Sequence, residues 1–132
     1  MAGIKILLVD DDPDIRDAIT VILEAQGYEV ITANNGLECF DMLRTEKPEL
    51  LILDLLMPKM DGFEVFKELK SQKWAEFHSM PIIILTSVRE EASLRRYKLE
   101  TGYTLDTDDY IEKPIVPAVL IRSVNKHLER KQ

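Results

Sequence analysis

The chain has 132 residues, 45% of them apolar and 31% charged, which fits one folded soluble domain of residues 1–132 and excludes a disordered chain. A formal net charge of −7 argues against nonspecific nucleic-acid binding, which needs Lys and Arg to neutralise phosphates. The single cysteine, Cys39, excludes an internal disulfide and a cysteine-built metal cage; beside Phe40, Met42 and Leu43 it is expected to be a buried, inert thiol.

In chain order, Ile4–Val9 is an uninterrupted apolar run, the pattern of a strand covered on both faces. Asp12 and Pro13 then predict a helix cap followed by proline in the first turn. Ile15, Ile19, Ile22 and Leu23 continue at helical spacing, and Gly27 supplies a stop. Tyr28–Ala33 reads as a second strand and Leu37–Arg44 as a short helix ending before Pro48. Glu49–Asp54 is the third strand. Asp61 and Glu64 form a start signal for a helix whose Phe66 and Leu69 face inward. The segment "KWAEFHSMP" follows; its Trp74 and Phe77 look exposed but are expected to pack on the preceding helix, with a contact site as the alternative. Pro81–Thr86 is the fourth strand. Ser87 and Glu90 repeat the capping pattern for a helix to about Leu99, on which Arg95, Arg96 and Lys98 read as a solvated face. A short strand at Asp109–Glu112 and a helix marked by Val116, Leu120, Val124 and Leu128 close the chain. His78 and His127 have no partner at ligand spacing and are read as surface residues.

No secretory signal is visible in "MAGIKILLVDDD", and "LLILDLLM" is interrupted by Asp54 and too short to span a bilayer, so a cytoplasmic location without membrane contact is expected. Five strands alternating with five helices predict an α/β domain with a parallel sheet covered on both faces. In such sheets ligands sit at the carboxyl ends of the strands beside the topological switch point. Asp10 and Asp11 end the first strand, Asp54 the third and Thr86 the fourth, while Lys113 follows the fifth. Crowding acids at strand ends is costly, since two charges about 4 Å apart repel by roughly 4 kcal/mol at an effective dielectric near 20. Something positive is therefore expected there.

The ordered set "LLVDD", "LILDLLMPKMDG", "IIILTS" and "YIEKP" resembles the receiver domain of two-component response regulators, the CheY-like fold family, along nearly the whole chain. The resemblance implies a doubly wound, flavodoxin-like sheet of strand order 2-1-3-4-5. It implies that Asp54 is the phosphoacceptor, attacking phosphohistidine on a sensor histidine kinase or histidine phosphotransfer protein. Asp10, Asp11, Asp54 and the carbonyl of Leu56 would hold Mg²⁺. Thr86 and Lys113 would bind the phosphoryl group, Tyr110 would be the switch aromatic, and Pro114 would follow the lysine through a cis bond. The implied output is control of a downstream protein, or phosphoryl relay, with no enzymatic activity beyond the domain's own phosphorylation and dephosphorylation, and with no nucleic acid bound by this domain.

Mg²⁺ prefers carboxylate, carbonyl and phosphate oxygens, and phosphoryl transfer relies on alignment and positive charge. The same acids would also serve a metal-dependent phosphohydrolase, but Leu56 stands where such an enzyme keeps a general acid. A flavin or nucleotide domain of this topology lacks its glycine-rich motif, and a degenerate docking receiver would not need the complete set. Two departures from the family pattern stand out. Leu56 and Val88 are apolar where the family tunes water access, which predicts slow phosphoryl loss. "ETGYTLDTDDY" is longer than usual, so the extended Gly102–Asp109 segment leaves the output surface open. A stand-alone receiver is expected, with a piece of a longer regulator as the alternative.

Overall fold

The computed structural model describes residues 3–101 and 107–129, without the side chains of Val88, Arg89, Glu90, Glu91 and Glu129. Strands β1 (Lys5–Val9), β2 (Glu29–Ala33), β3 (Leu50–Asp54), β4 (Ile82–Thr86) and β5 (Asp109–Glu112) alternate with helices α1 (Pro13–Glu24), α2 (Gly36–Glu46), α3 (Gly62–Leu69), α4 (Val88–Thr101) and α5 (Pro117–Glu129). The sheet is parallel throughout, in the order β2-β1-β3-β4-β5. This is the expected fold, and each strand lies within one residue of its expected start.

Burial explains the sequence pattern. Every residue of β3 and β4 is buried, whereas the edge strand β5 alternates and β2 is fully buried only at Ala33. Leu7, Val9, Leu51, Leu53 and Ile84 point to one face, where Leu43 of α2 and Val65 and Phe66 of α3 cover them, with Leu94 and Tyr97 of α4 packed alongside. Ile6, Leu8, Ile52, Ile83 and Leu85 point to the other face, against Ile19 and Leu23 of α1 and Leu120, Val124 and Leu128 of α5. The period of two thus divides one apolar run between two cores.

Local signals set the helix ends. Asp12 accepts from the Asp14 N–H with Pro13 in the first turn of α1, and Gly27, at φ 92, lets the chain turn back into β2. Asp61 and Glu64 make a reciprocal capping box on α3. The Ser87–Glu90 pairing falls on the Glu90 side chain, outside the described residues.

Three details differ from the sequence reading. A 3₁₀ segment, Gln72–Phe77, intervenes between α3 and β4. It buries Trp74 and Phe77, as their expected packing requires, with Trp74 4.6 Å from Phe40 between ring centres and its Nε1 donating to Glu68 of α3 at 3.0 Å. Val116 is half exposed, because α5 begins one residue later, at Pro117. His127 is buried, not a surface residue: it shares the inward stripe of α5 with Leu120, Val124 and Leu128, and its Nδ1 lies 2.7 Å from the Ser123 carbonyl. A carbonyl only accepts, so Nδ1 carries the proton. His78 is exposed, and Arg95, Arg96 and Lys98 do form a solvated face.

Candidate functional site

The chain leaves β1 for β2 on one side and returns to β3 on the other, so the topology reverses between β1 and β3. The crevice opened by that reversal lies beyond their carboxyl ends. A cleft of about 350 Å³ sits there, walled by Asp10, Asp11, Asp12, Ile15, Asp54, Leu56, Ser87 and Lys113.

Asp10 is completely buried and held on every side. Its N–H donates to the Ala33 carbonyl at 3.2 Å, its carbonyl accepts from Arg16 Nη1 at 2.7 Å, and its Oδ1 accepts from the Asp12 N–H at 2.9 Å. Its Oδ2 faces Lys113 Nζ at 3.3 Å as an ion pair and takes no hydrogen bond of its own. Burial raises the Asp10 carboxyl above the ordinary carboxylate range, against the opposing pull of the Asp12 N–H and the Lys113 charge. Asp54, 2% exposed, receives the same ammonium on Oδ1 at 3.3 Å. Asp11 is exposed, and one oxygen from each of the three acids lies within 4.8 Å of the other two.

Lys113 reaches this point because its own N–H donates to the Thr86 carbonyl at 2.6 Å, tying the end of β5 to the end of β4. The Lys113–Pro114 bond is cis. Three carboxylates against one ammonium leave a formal charge of −2. The donors are all hard oxygens, and one of them, Asp10 Oδ2, is buried without a hydrogen bond. That set fits a divalent oxygen-seeking cation.

The remaining sequence candidates lie nearby rather than in this wall. Thr86 is buried at the end of β4, and it is Ser87, read from sequence only as a helix cap, that lines the cleft. Tyr110 is 44% exposed on the edge strand and shares a neighbouring hollow of about 450 Å³ with Lys113 and Pro114; partial burial pushes its phenol up. Arg16 is the residue sequence reasoning passed over. A cation in the first turn of a helix opposes the helix dipole, and that mismatch was the available sign that it serves something outside the helix.

A family model described as the response regulator receiver domain matches residues 6–125. The chain belongs to this family. The receiver domain is 40% identical over 128 residues to the alkaline phosphatase synthesis transcriptional regulatory protein PhoP of Bacillus subtilis (strain 168), spanning 97% of this chain but 50% of that protein. It thus covers about half the length of most of the curated relatives it matches. An uncharacterized 14.6 kDa protein of Leptolyngbya boryana is 39% identical over 127 residues, covering 96% of the receiver and 92% of the relative. Among solved structures, the receiver domain of the sensor histidine kinase PA1611 from Pseudomonas aeruginosa PAO1 superposes with a TM-score of 0.81 at 26% identity, covering 97% of this chain and 99% of that one. That structure has a magnesium ion coordinated in its active-site cleft. Among the described residues, no helix of the receiver is long and apolar enough to cross a membrane.

Proposed function

We propose that this receiver is a Mg²⁺-dependent phosphorylation switch in which Asp54 accepts a phosphoryl group from phosphohistidine on a sensor histidine kinase or histidine phosphotransfer protein. The carrying observation is the shared ammonium: Lys113 Nζ stands 3.3 Å from both Asp10 and Asp54, with the three acids still two charges short of balance. The magnesium ion in the related Pseudomonas receiver supports the choice of metal.

Asp10, Asp11 and Asp54 would hold the cation by their carboxylates, with the Leu56 carbonyl beside them. Bound there, the cation supplies positive charge to the oxygens of the incoming phosphoryl group. An Asp54 carboxylate oxygen attacks phosphorus while the phosphorus–nitrogen bond to the donor imidazole breaks. The electron pair of that bond returns to the imidazole nitrogen, which takes a proton from solvent, and Asp54 becomes an acyl phosphate. Lys113, already in contact with Asp54, pairs with the new phosphoryl oxygens in place of the lost carboxylate charge, and Thr86 at the end of β4 donates its hydroxyl.

Movement of Thr86 leaves space into which Tyr110 turns, and the surface around β5 changes with it. Reversing a 1:99 equilibrium to 99:1 needs about 5.5 kcal/mol. Charge-assisted hydrogen bonds of about 1.5–3 kcal/mol each, from Thr86 and Lys113, would provide most of it. The output is contact with a downstream protein, or relay to a second phosphotransfer histidine, in the cytoplasm. No turnover of small phosphoesters is expected, because Leu56 has no proton to give a leaving group.

Incubation with Mg²⁺ and a small phosphodonor, followed by intact-mass analysis, is expected to show one added phosphoryl group on wild type and none on Asp54→Asn. Equal labelling of both proteins would remove Asp54 from the mechanism.

A further inference from the structure

We propose that Gly62 and Gly36 are positioning residues for the metal-binding end of β3. They clamp the Leu55–Asp61 connection so that Asp54 and the Leu56 carbonyl are presented together. The proposal rests on the reading of Asp54 as part of a cation site.

Neither glycine is demanded by backbone conformation: among the described glycines only Gly27 has a positive φ. Space demands them instead. A Cβ on Gly62 would lie 2.5 Å from the carbonyl oxygen of Asp54 and 2.7 Å from Leu55 Cα. A Cβ on Gly36 would lie 2.6 Å from the Met60 carbonyl oxygen and 2.7 Å from Val65 Cγ2. The close approaches are also bonded ones. The Gly62 N–H donates to the Leu55 carbonyl and the Gly36 N–H to the Met60 carbonyl, each at 2.9 Å.

The connection is therefore fixed at both ends, by the first residue of α3 where it leaves β3 and by the first residue of α2 where it nears α3. Between these points Lys59 sits at φ 66. For a residue with a Cβ, that left-handed conformation is unfavourable. A loop that holds a strained residue is held by its ends, and here the ends are the two glycine contacts. The segment so held carries Leu56, which walls the cleft next to Asp54. Loss of either contact would let the Leu56 carbonyl and the Asp54 peptide move apart, and an ion that uses both would lose a ligand.

Two measurements test this. The first uses wild type alone. If cation binding requires the clamped loop, local opening is suppressed by a factor of one plus the ratio of metal concentration to Kd, or about tenfold at ten times Kd. Amide exchange of Gly62 and Gly36 is expected to slow by about that factor on adding Mg²⁺, while exchange of Lys47 at the far end of α2 stays unchanged. Unaltered exchange at both glycines, in protein that calorimetry shows to bind Mg²⁺, overturns the clamp.

The second uses Gly62→Ala and Gly36→Ala, each expected to weaken Mg²⁺ binding by about tenfold or more. Leu43→Ala, in the core away from the cleft, is expected to lower the thermal midpoint with no change in Kd. A folded alanine variant that binds Mg²⁺ like wild type overturns the proposal, and the exchange measurement decides it whether or not the variants fold. Failure of the underlying site reading looks different: wild type itself would bind no Mg²⁺, or Asp54→Asn would bind it equally well.

Discussion

Leu56 and Cys39 show how a single side chain limits chemistry by what it does not offer. Leu56 lines the cleft two residues past Asp54, and an isobutyl group cannot orient a water molecule toward an acyl phosphate. Leu56→Asn adds both a donor and an acceptor there, so phosphoryl decay from Asp54 should quicken severalfold in a timed mass measurement. Val88, whose side chain lies outside the described residues, is expected to act in the same sense, with Val88→Glu accelerating decay; unchanged lifetimes in both variants would discard this account. Cys39 is buried on α2, and desolvation pushes its thiol up to about 12. At pH 8 the native thiolate is then roughly one part in ten thousand. A thiol reagent at that pH should label Cys39 only after denaturation. The protonated thiol's contribution to stability is complete below about pH 9.0, the unperturbed value, and is lost as pH climbs from there toward 12.

Helix α3 carries the clearest element-scale dependence on a terminus. It has eight residues, too few for stability by propensity alone, and its start is secured by the reciprocal Asp61–Glu64 bonds. Asp61→Ala should cost about 1 kcal/mol and lower the thermal midpoint by about 4 °C; an unchanged melting curve would show that the Gly62 contacts alone hold this end. Most elements were legible because their signals are local and agree with one another. Asp12-Pro13 reads as a helix start and folds as one, and the unbroken apolar runs of β3 and β4 are buried throughout. What was harder to read has non-local causes. Trp74 and Phe77 stand in a polar segment with no period to mark them, and their expected packing is met by Phe40 of α2 and Glu68 of α3. His127 is polar by type, yet its i−4 carbonyl satisfies the ring nitrogen that would otherwise forbid burial. At the site, the acids and Lys113 announced themselves by charge at strand ends. The roles of Gly36 and Gly62 could not be read that way, and Arg16 offered only its mismatch with the helix dipole, because each acts through a backbone carbonyl whose position exists only once the chain has folded.

For the whole molecule, the sheet order is what turns separated acids into one site, and it does so at a cost to the unliganded fold. Asp10 and Asp54, from strands either side of the switch point, are buried together with a single ammonium between them, while Asp11 adds a third charge at the surface. A stable domain tolerates this because the two apolar cores lie behind the cleft rather than in it. Removing one acid should therefore stabilise the apo protein and remove its response to metal. Asp10→Asn keeps the shape and can still accept the Asp12 N–H, and it leaves Lys113 paired with Asp54. Without Mg²⁺ it should unfold at a higher temperature than wild type, by the equivalent of about 1 kcal/mol. With Mg²⁺ at ten times the wild-type Kd, wild type should gain about 1.4 kcal/mol while Asp10→Asn gains almost nothing. Thermal melts of both proteins, with and without the metal, give all four values. If Asp10→Asn is less stable than wild type without metal, the carboxylate holds the fold together rather than waiting for a cation. If its Mg²⁺ response equals that of wild type, the cation sits elsewhere.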